Sequence, residues 1–96
     1  MTTWFISRHP GALYWMQKNE IHYDKHVKHL DPSEIKAGDI VIGSLPINLA
    51  AVICAVGAEY WNLSLFIPES ARGKELSADE LDSYDAKLER FLISRL

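Results

Sequence analysis

Arg8 and His9 stand side by side, and together they carry the two tools most used in phosphate chemistry. A guanidinium grips a phosphate with a planar pair of donors, and an imidazole moves protons near neutral pH. Ser7 precedes the pair, and Gly11 follows it across Pro10. Further along, Ser44 with Asn48 and then Ser64 offer hydroxyl and amide groups, and Arg72-Gly73-Lys74 is the only basic cluster between Lys36 and Lys87. Each feature also has an ordinary structural explanation. Arg8 can pair with a surface carboxylate, His9 can fill a loop, and the Arg72-Gly73-Lys74 run can be solvated; two residues alone do not make an enzyme.

His22, His26 and His29 would share one side of a helix, which invites a metal site. On a strand, His22 and His26 share one face and His29 takes the other. No carboxylate sits at a ligand spacing with them, and Lys25 and Lys28 add positive charge that opposes a cation. The pattern therefore favours a solvated basic edge able to help hold an anion, and no metal.

Composition narrows the classes further. Ten Lys plus Arg against thirteen Asp plus Glu leave a net charge of −3. That balance argues against a protein coating duplex DNA or RNA, which needs a basic face making many phosphate contacts. A small anionic ligand needs only a local positive site. Ninety-six residues, 48% of them hydrophobic, suffice for a single domain spanning residues 1–96, and so short a chain gains stability by hiding apolar surface in a homodimer. The single cysteine, Cys54, excludes an internal disulfide and a multi-cysteine zinc site, as expected in a cytoplasmic setting. Arg8 and His9 precede any long apolar run, unlike the order of a signal peptide. Ile40–Ala58 is uncharged over nineteen residues, but Gly43-Ser44-Leu45-Pro46 divides it, so it reads as strand, turn and helix rather than a membrane span.

The elements that must position these residues follow from patterning. Thr2–Ser7, with Trp4-Phe5-Ile6, predicts a buried strand ending in a turn at Arg8-His9-Pro10-Gly11. Ala12–Lys18 predicts a short helix stopped at Asn19. Ile21–Leu30 fits either period, and strand is the reading adopted. Asp31-Pro32-Ser33-Glu34 predicts a turn or a single helical turn, and the wholly apolar Ile40-Val41-Ile42 a strand covered on both faces. Ile47–Val56 predicts a helix apolar all round, one side on the sheet and the other free for a dimer partner. Glu59–Leu65 predicts another strand, and Pro68 and Gly73 mark a long loop. Ser77 with Glu80 forms a capping box, after which Leu81, Tyr84, Leu88, Phe91 and Leu92 predict a helix running to the C-terminus. Trp4, Tyr60 and Trp61 read as core, Cys54 as a small core residue, and Trp15 either as core or as a platform for a base.

Alternating strands and helices predict an α/β three-layer sandwich with a mainly parallel sheet. In such sheets ligands bind beyond the carboxyl ends of the strands. Ser7-Arg8-His9, Ser44 with Asn48, and Ser64 occupy those positions. The first two groups lead into helix N-termini, where free N–H groups and the helix dipole favour an anion such as phosphate.

A strand ending in Arg-His and a glycine also resembles the histidine phosphatases. Pro10 interrupts that pattern, and no histidine follows His29 to complete their catalytic set. A broader resemblance runs along nearly the whole chain. Trp4-Phe5-Ile6-Ser7-Arg8-His9-Pro10-Gly11-Ala12, the stretch from Gly38 to Ala51, Tyr60-Trp61-Asn62-Leu63-Ser64-Leu65 and Ala71-Arg72-Gly73-Lys74-Glu75-Leu76-Ser77 resemble a family of small type III CRISPR-associated accessory proteins. The resemblance implies a Rossmann-like fold related to the sensor domains that bind cyclic oligoadenylates, acting as a dimer. It further implies a ring nuclease that opens cyclic tetra-adenylate and switches off the antiviral signal, or a related protein that binds the messenger without cutting it.

For such a ring nuclease the expected reaction is attack by a substrate ribose 2′-hydroxyl on the adjacent phosphorus, with no metal and no cofactor. From the chemistry of the side chains rather than from the resemblance, Arg8 is expected to stabilise charge and His9 to transfer protons. Ser7, Ser44 and Asn48 orient the substrate, Arg72 and Lys74 clamp the ring, and Gly11 and Ser64 complete the binding set. A ring of four nucleotides has internal symmetry, so a two-fold dimer presents each of these residues twice.

Overall fold

Ile40-Val41-Ile42 has no polar side chain to turn towards water, and the strand it forms, β3 (Ile40–Gly43), lies in the middle of a five-stranded sheet. The computed structural model describes residues Met1–Leu96. Before β3 come β1 (Thr3–Ile6), helix α1 (Pro10–Lys18), the short β2 (Lys25–Val27) and a 3-10 turn at Pro32–Glu34. After it come α2 (Ile47–Ala55), β4 (Glu59–Ser64), a second 3-10 turn at Glu69–Ala71, α3 (Ala78–Ser83) and β5 (Lys87–Phe91). The order across the sheet is β2-β1-β3-β4-β5; the first four strands are parallel and β5 is antiparallel to β4.

Strand alternation sends successive side chains into two cores. Trp4, Ile6, Val41 and Tyr60 face α2, where they meet Ala50 and Ile53, with Ile35 beside them. Phe5, Ile42 and Leu63 face the other way onto Ala12, Trp15 and Met16 of α1 and Leu81 of α3. The sheet is thus covered on both sides by three helices. Phe5, Met16, Val41 and Ile53 are fully buried, and each such burial contributes about 2 kcal/mol. Trp15 belongs to this core, and its indole N–H donates to Asp82 at 2.8 Å. Lys18 binds the same carboxylate at 2.6 Å and Asp79 at 2.9 Å, tying α1 to α3. The Lys18 ammonium first, and the indole second, hold the Asp82 carboxyl below its ordinary range.

At the amino ends of the strands, buried Asp39 accepts the N–H of Thr2 and of Lys36, each at 3.0 Å, and the indole N–H of Trp4 at 3.3 Å. One side chain therefore joins the entry to β1 and the entry to β3.

The C-terminal helix expected from Leu81, Tyr84, Leu88, Phe91 and Leu92 does not form beyond Ser83. Asp85 turns the chain in the left-handed region, φ 63°, and the Ala86 N–H donates back to Leu81 O at 3.0 Å. The Phe66 N–H donates to Tyr84 O at 2.8 Å, fixing the turn against the loop. Lys87–Phe91 then pairs with β4, Leu88 opposite Leu63. The physical reason is the open edge of β4, whose unpaired N–H and C=O groups need a partner that a continued helix cannot supply. Leu81 and Leu88 do reach the same core, one from a helix and the other from a strand.

Ile21–Leu30 also departs from expectation, for only Lys25–Val27 joins the ladder. Ile21 and Tyr23 pack on the α1 side, and Val27 and Leu30 on the α2 side. The second face of α2 is open, with Val52 exposed there and Val56 exposed at the C-cap; Ile47 is exposed at the first helical position, and Cys54 is half-buried against the core. The uncharged Ile40–Ala58 stretch resolves into β3, a turn and α2, and no helix is long and apolar enough to cross a membrane.

Candidate functional site

The parallel strands all end at one rim of the sheet, and the strand order switches direction there between β1 and β3, since β1 connects to β2 on one side and β3 to β4 on the other. Such a reversal opens a crevice. A cleft of about 590 Å³ occupies this point. Ser7, Arg8 and His9 reach it from the end of β1, Lys28 and His29 from the end of β2, Ser44 and Leu45 from the end of β3, and Lys74 from the loop before α3.

Local chemistry explains how each tip is held. Beyond Ile6 the Ser7 N–H donates to Val27 O at 3.1 Å, extending the β1–β2 ladder one step. The Ser7 hydroxyl accepts the His9 N–H at 3.1 Å, turning the chain into α1, where Pro10 takes the first helical position. The His26 ring lies 2.7 Å from Ser7 O and packs on Phe5 with ring centres 5.7 Å apart. Ser7 is consequently a loop-forming residue as well as a cleft residue.

At the β3 tip, Gly43 lets two backbones approach, since a Cβ there would lie 2.7 Å from Ile6 O. Ser44 donates to Leu63 O at 3.1 Å, and the Leu45 N–H donates to the Tyr60 hydroxyl at 2.9 Å. Tyr60 donates in turn to Asn62 Oδ1, with Gly43 O also in reach, and the Asn62 amide donates to Ser64 at 2.8 Å. Burial pushes the Tyr60 phenol above its ordinary value, so it remains a neutral hydroxyl bridging β3 and β4.

The electrostatics of the cleft are one-sided. Its lining includes Arg8, Lys28 and Lys74 together with His9 and His29, and no carboxylate. None of these three cations takes part in a salt bridge, whereas Lys18 is paired twice and Arg90 lies beside Glu59. The first turns of α1 and α2 are free of acidic residues and lack a side-chain cap, so both dipoles add to the positive potential. The rest of the wall is apolar, with Leu49, Leu65, Ile67 and Leu76 among its members. The lining therefore sets a cationic end, able to hold an anion, beside an apolar wall.

The structure thus brings Ser7, Arg8, His9, Ser44 and Lys74 to one cleft. The other candidates lie outside its lining. Asn48 is exposed on the first turn of α2, Arg72 is exposed in the loop two residues before Lys74, and Ser64 is engaged with Asn62. Gly11 is buried, and a Cβ there would lie 1.7 Å from Leu76 O, so the helix and the strap preceding α3 touch at this point. The three histidines separate: His22 meets Asp24 at 3.3 Å, His26 meets Ser7 O, and His29 faces the cleft. Lys28 and His29 belong to the basic edge expected to help hold an anion, but the sequence pattern did not set them at a strand tip in the cleft. Ending the second strand at Val27 would have set them at a strand tip like the others.

A small α/β protein with a cationic cleft at the tips of a mostly parallel sheet is the class that fold and site define. The chain belongs to the family described as "Putative CRISPR-associated protein (Cas_VVA1548)", whose model matches residues 4–94. No curated protein and no solved structure matches it.

Proposed function

We propose that this protein is a ring nuclease, a Rossmann-like relative of the cyclic oligoadenylate sensor domains, that binds cyclic tetra-adenylate and linearises it to switch off type III CRISPR antiviral signalling. The observation that carries this reading is the cleft between β1 and β3, lined by Arg8, Lys28 and Lys74 without a single carboxylate. Membership of a CRISPR-associated family is compatible with such a role.

In the proposed step a ribose 2′-oxygen attacks the neighbouring phosphorus. A new P–O2′ bond forms and the P–O5′ bond breaks. The products are a 2′,3′-cyclic phosphate and a 5′-hydroxyl, and the proton lost from the 2′-oxygen is balanced by one gained at the 5′-oxygen. Arg8 stabilises the charge developing on the phosphoryl oxygens, His9 exchanges the protons, and Ser44 orients the ring. A two-fold pair of subunits presents this set twice to the ring, and the exposed Val52 of α2 with Val56 at its C-cap supports such pairing.

A binding protein that sequesters the ring without cutting it is the second reading. It is favoured by the His9 side chain, which is exposed and has no hydrogen bond to orient its ring, unlike a positioned catalytic base. Incubation with labelled cyclic tetra-adenylate in EDTA separates the two. The nuclease yields linear product, slowed about 100-fold or more in Arg8→Ala, the scale of losing one charge-stabilising donor. Intact ring that comigrates with the protein establishes sequestration instead, and a wild-type protein that neither cuts nor retains the ring refutes both.

A further inference from the structure

Lys28 and His29 follow β2 directly, and β2 lies beside β1 with Trp4 opposite Lys25, Phe5 opposite His26 and Ile6 opposite Val27. The Ser7 N–H to Val27 O bond at 3.1 Å carries that register past the end of the strands. Lys28 therefore emerges next to Ser7-Arg8, one inter-strand spacing of about 5 Å away at the backbone. The His26 ring, 2.7 Å from Ser7 O and packed on Phe5, braces the two tips against each other.

The two lysines of this segment have different fates. Lys25 sits over the Trp4 ring, 4.9 Å from its centre. Lys28 has no such partner, takes part in no salt bridge, and faces the cleft together with His29. Two positive groups on adjacent tips of a carboxylate-free cleft match two anions one nucleotide apart better than one anion, because a single phosphate gripped by Arg8 leaves Lys28 unneutralised.

We infer that the tip of β2 is a second phosphate subsite, in which Lys28, assisted by His29, holds the phosphodiester adjacent to the one held by Arg8. This inference rests on the nucleotide-binding reading above and adds to it a determinant of substrate length. The cleft then prefers ligands with two consecutive phosphates, a ring or a short strand, over a mononucleotide. Lys28 acts on binding and register, and is not assigned a part in bond breaking.

The test uses three probes with the full chain, namely AMP, the linear dinucleotide pApA and cyclic tetra-adenylate, each titrated over a range of salt concentrations. Each phosphate contact on a single strand contributes about 0.7 to the slope of log affinity against log salt. Lys28→Ala should weaken pApA and ring binding several-fold, lower the slope for both by about 0.7, and leave AMP affinity unchanged. Arg8→Ala should weaken all three. An unchanged slope in Lys28→Ala, or an equal loss for AMP and pApA, overturns the subsite. If wild-type protein ignores the ring but binds pApA with a Lys28-dependent slope, the ring-nuclease reading fails and the subsite stands; if it binds the ring with no dependence on Lys28, the reverse holds. No uptake of pApA or of the ring overturns both. Lys28 is exposed, so the variant keeps its core, and an unchanged urea midpoint verifies this.

Discussion

Replacing Asp39 by asparagine changes one oxygen for an amide and should be among the most damaging near-isosteric substitutions in this chain. Asp39 Oδ1 accepts the Thr2 N–H at 3.0 Å, and Oδ2 accepts the Lys36 N–H at 3.0 Å and the Trp4 indole at 3.3 Å. Three donors converge on two acceptor atoms, and an amide offers only one oxygen. Its better orientation keeps the Lys36 and Trp4 bonds and turns an NH2 group towards the Thr2 N–H. The loss of one charge-assisted bond and the weakening of two others amount to about 3 kcal/mol, which for a domain of this length lowers Tm by roughly 10–20 °C. The sign of the pH dependence follows from the same donors. The Thr2 and Lys36 N–H groups, in that order, hold the Asp39 carboxyl below its ordinary value. A carboxyl depressed by folding contributes its full stabilisation above its unfolded pKa and surrenders it as pH falls through the folded pKa. Urea unfolding followed by tryptophan fluorescence should therefore show a full gap between wild type and Asp39→Asn at pH 7, narrowing below about pH 4. The depressed carboxyls of Asp24, Asp31 and Asp82 are present in both proteins and cancel from the difference. A gap that stays constant from pH 7 to pH 3, or one below 0.5 kcal/mol on the scale of a neutral surface change, would refute the account.

Gly11→Ala should cost about 3 kcal/mol, the upper part of the range for overpacking, because its Cβ would meet the Leu76 backbone oxygen at 1.7 Å rather than a movable side chain; a urea midpoint within error of wild type would contradict the close approach. Tyr60→Phe removes the acceptor of the Leu45 N–H and should cost roughly 1–2 kcal/mol. Amide exchange should show Leu45 losing protection while Phe5 and Val41 keep theirs, and equal loss everywhere would mean that the hydroxyl does not pin the β3 tip specifically.

Much of this architecture is legible in local chemistry. Pro10 before a run of helix formers, the apolar triplet at Ile40 and the Ser77–Glu80 capping box each correspond to a real element because one local interaction dominates there. The Arg8 and Ser44 tips are legible for the same reason, being polar residues that end apolar strands. What escapes local reasoning is decided by partners far away in the chain. Leu81, Tyr84, Leu88 and Phe91 satisfy a helical period, yet the vacant edge of β4 claims the second half of that run as a strand. Lys28 and His29 are hidden by a similar effect, since the length of β2 depends on how much of β1 is available to pair with it. Gly11 looks like a loop glycine beside Arg8 and turns out to serve contact with Leu76, sixty-five positions on, which no short window of sequence contains.

The strand ladder also governs how the polypeptide reaches its final shape. Its nearest pairing joins Ile40 to Glu59, nineteen positions on; Trp4 meets Lys25 after twenty-one, and Thr3 meets Ile40 after thirty-seven. No tight hairpin exists to nucleate the rest, and even the antiparallel pair closes a span of twenty-three positions between Ser64 and Lys87. Each closure must be met in chain entropy before its contacts repay it, so refolding belongs on the millisecond-to-second scale of non-local topologies. Stopped-flow dilution from urea reads this directly, and relaxation within microseconds would be incompatible with so distant a set of first contacts.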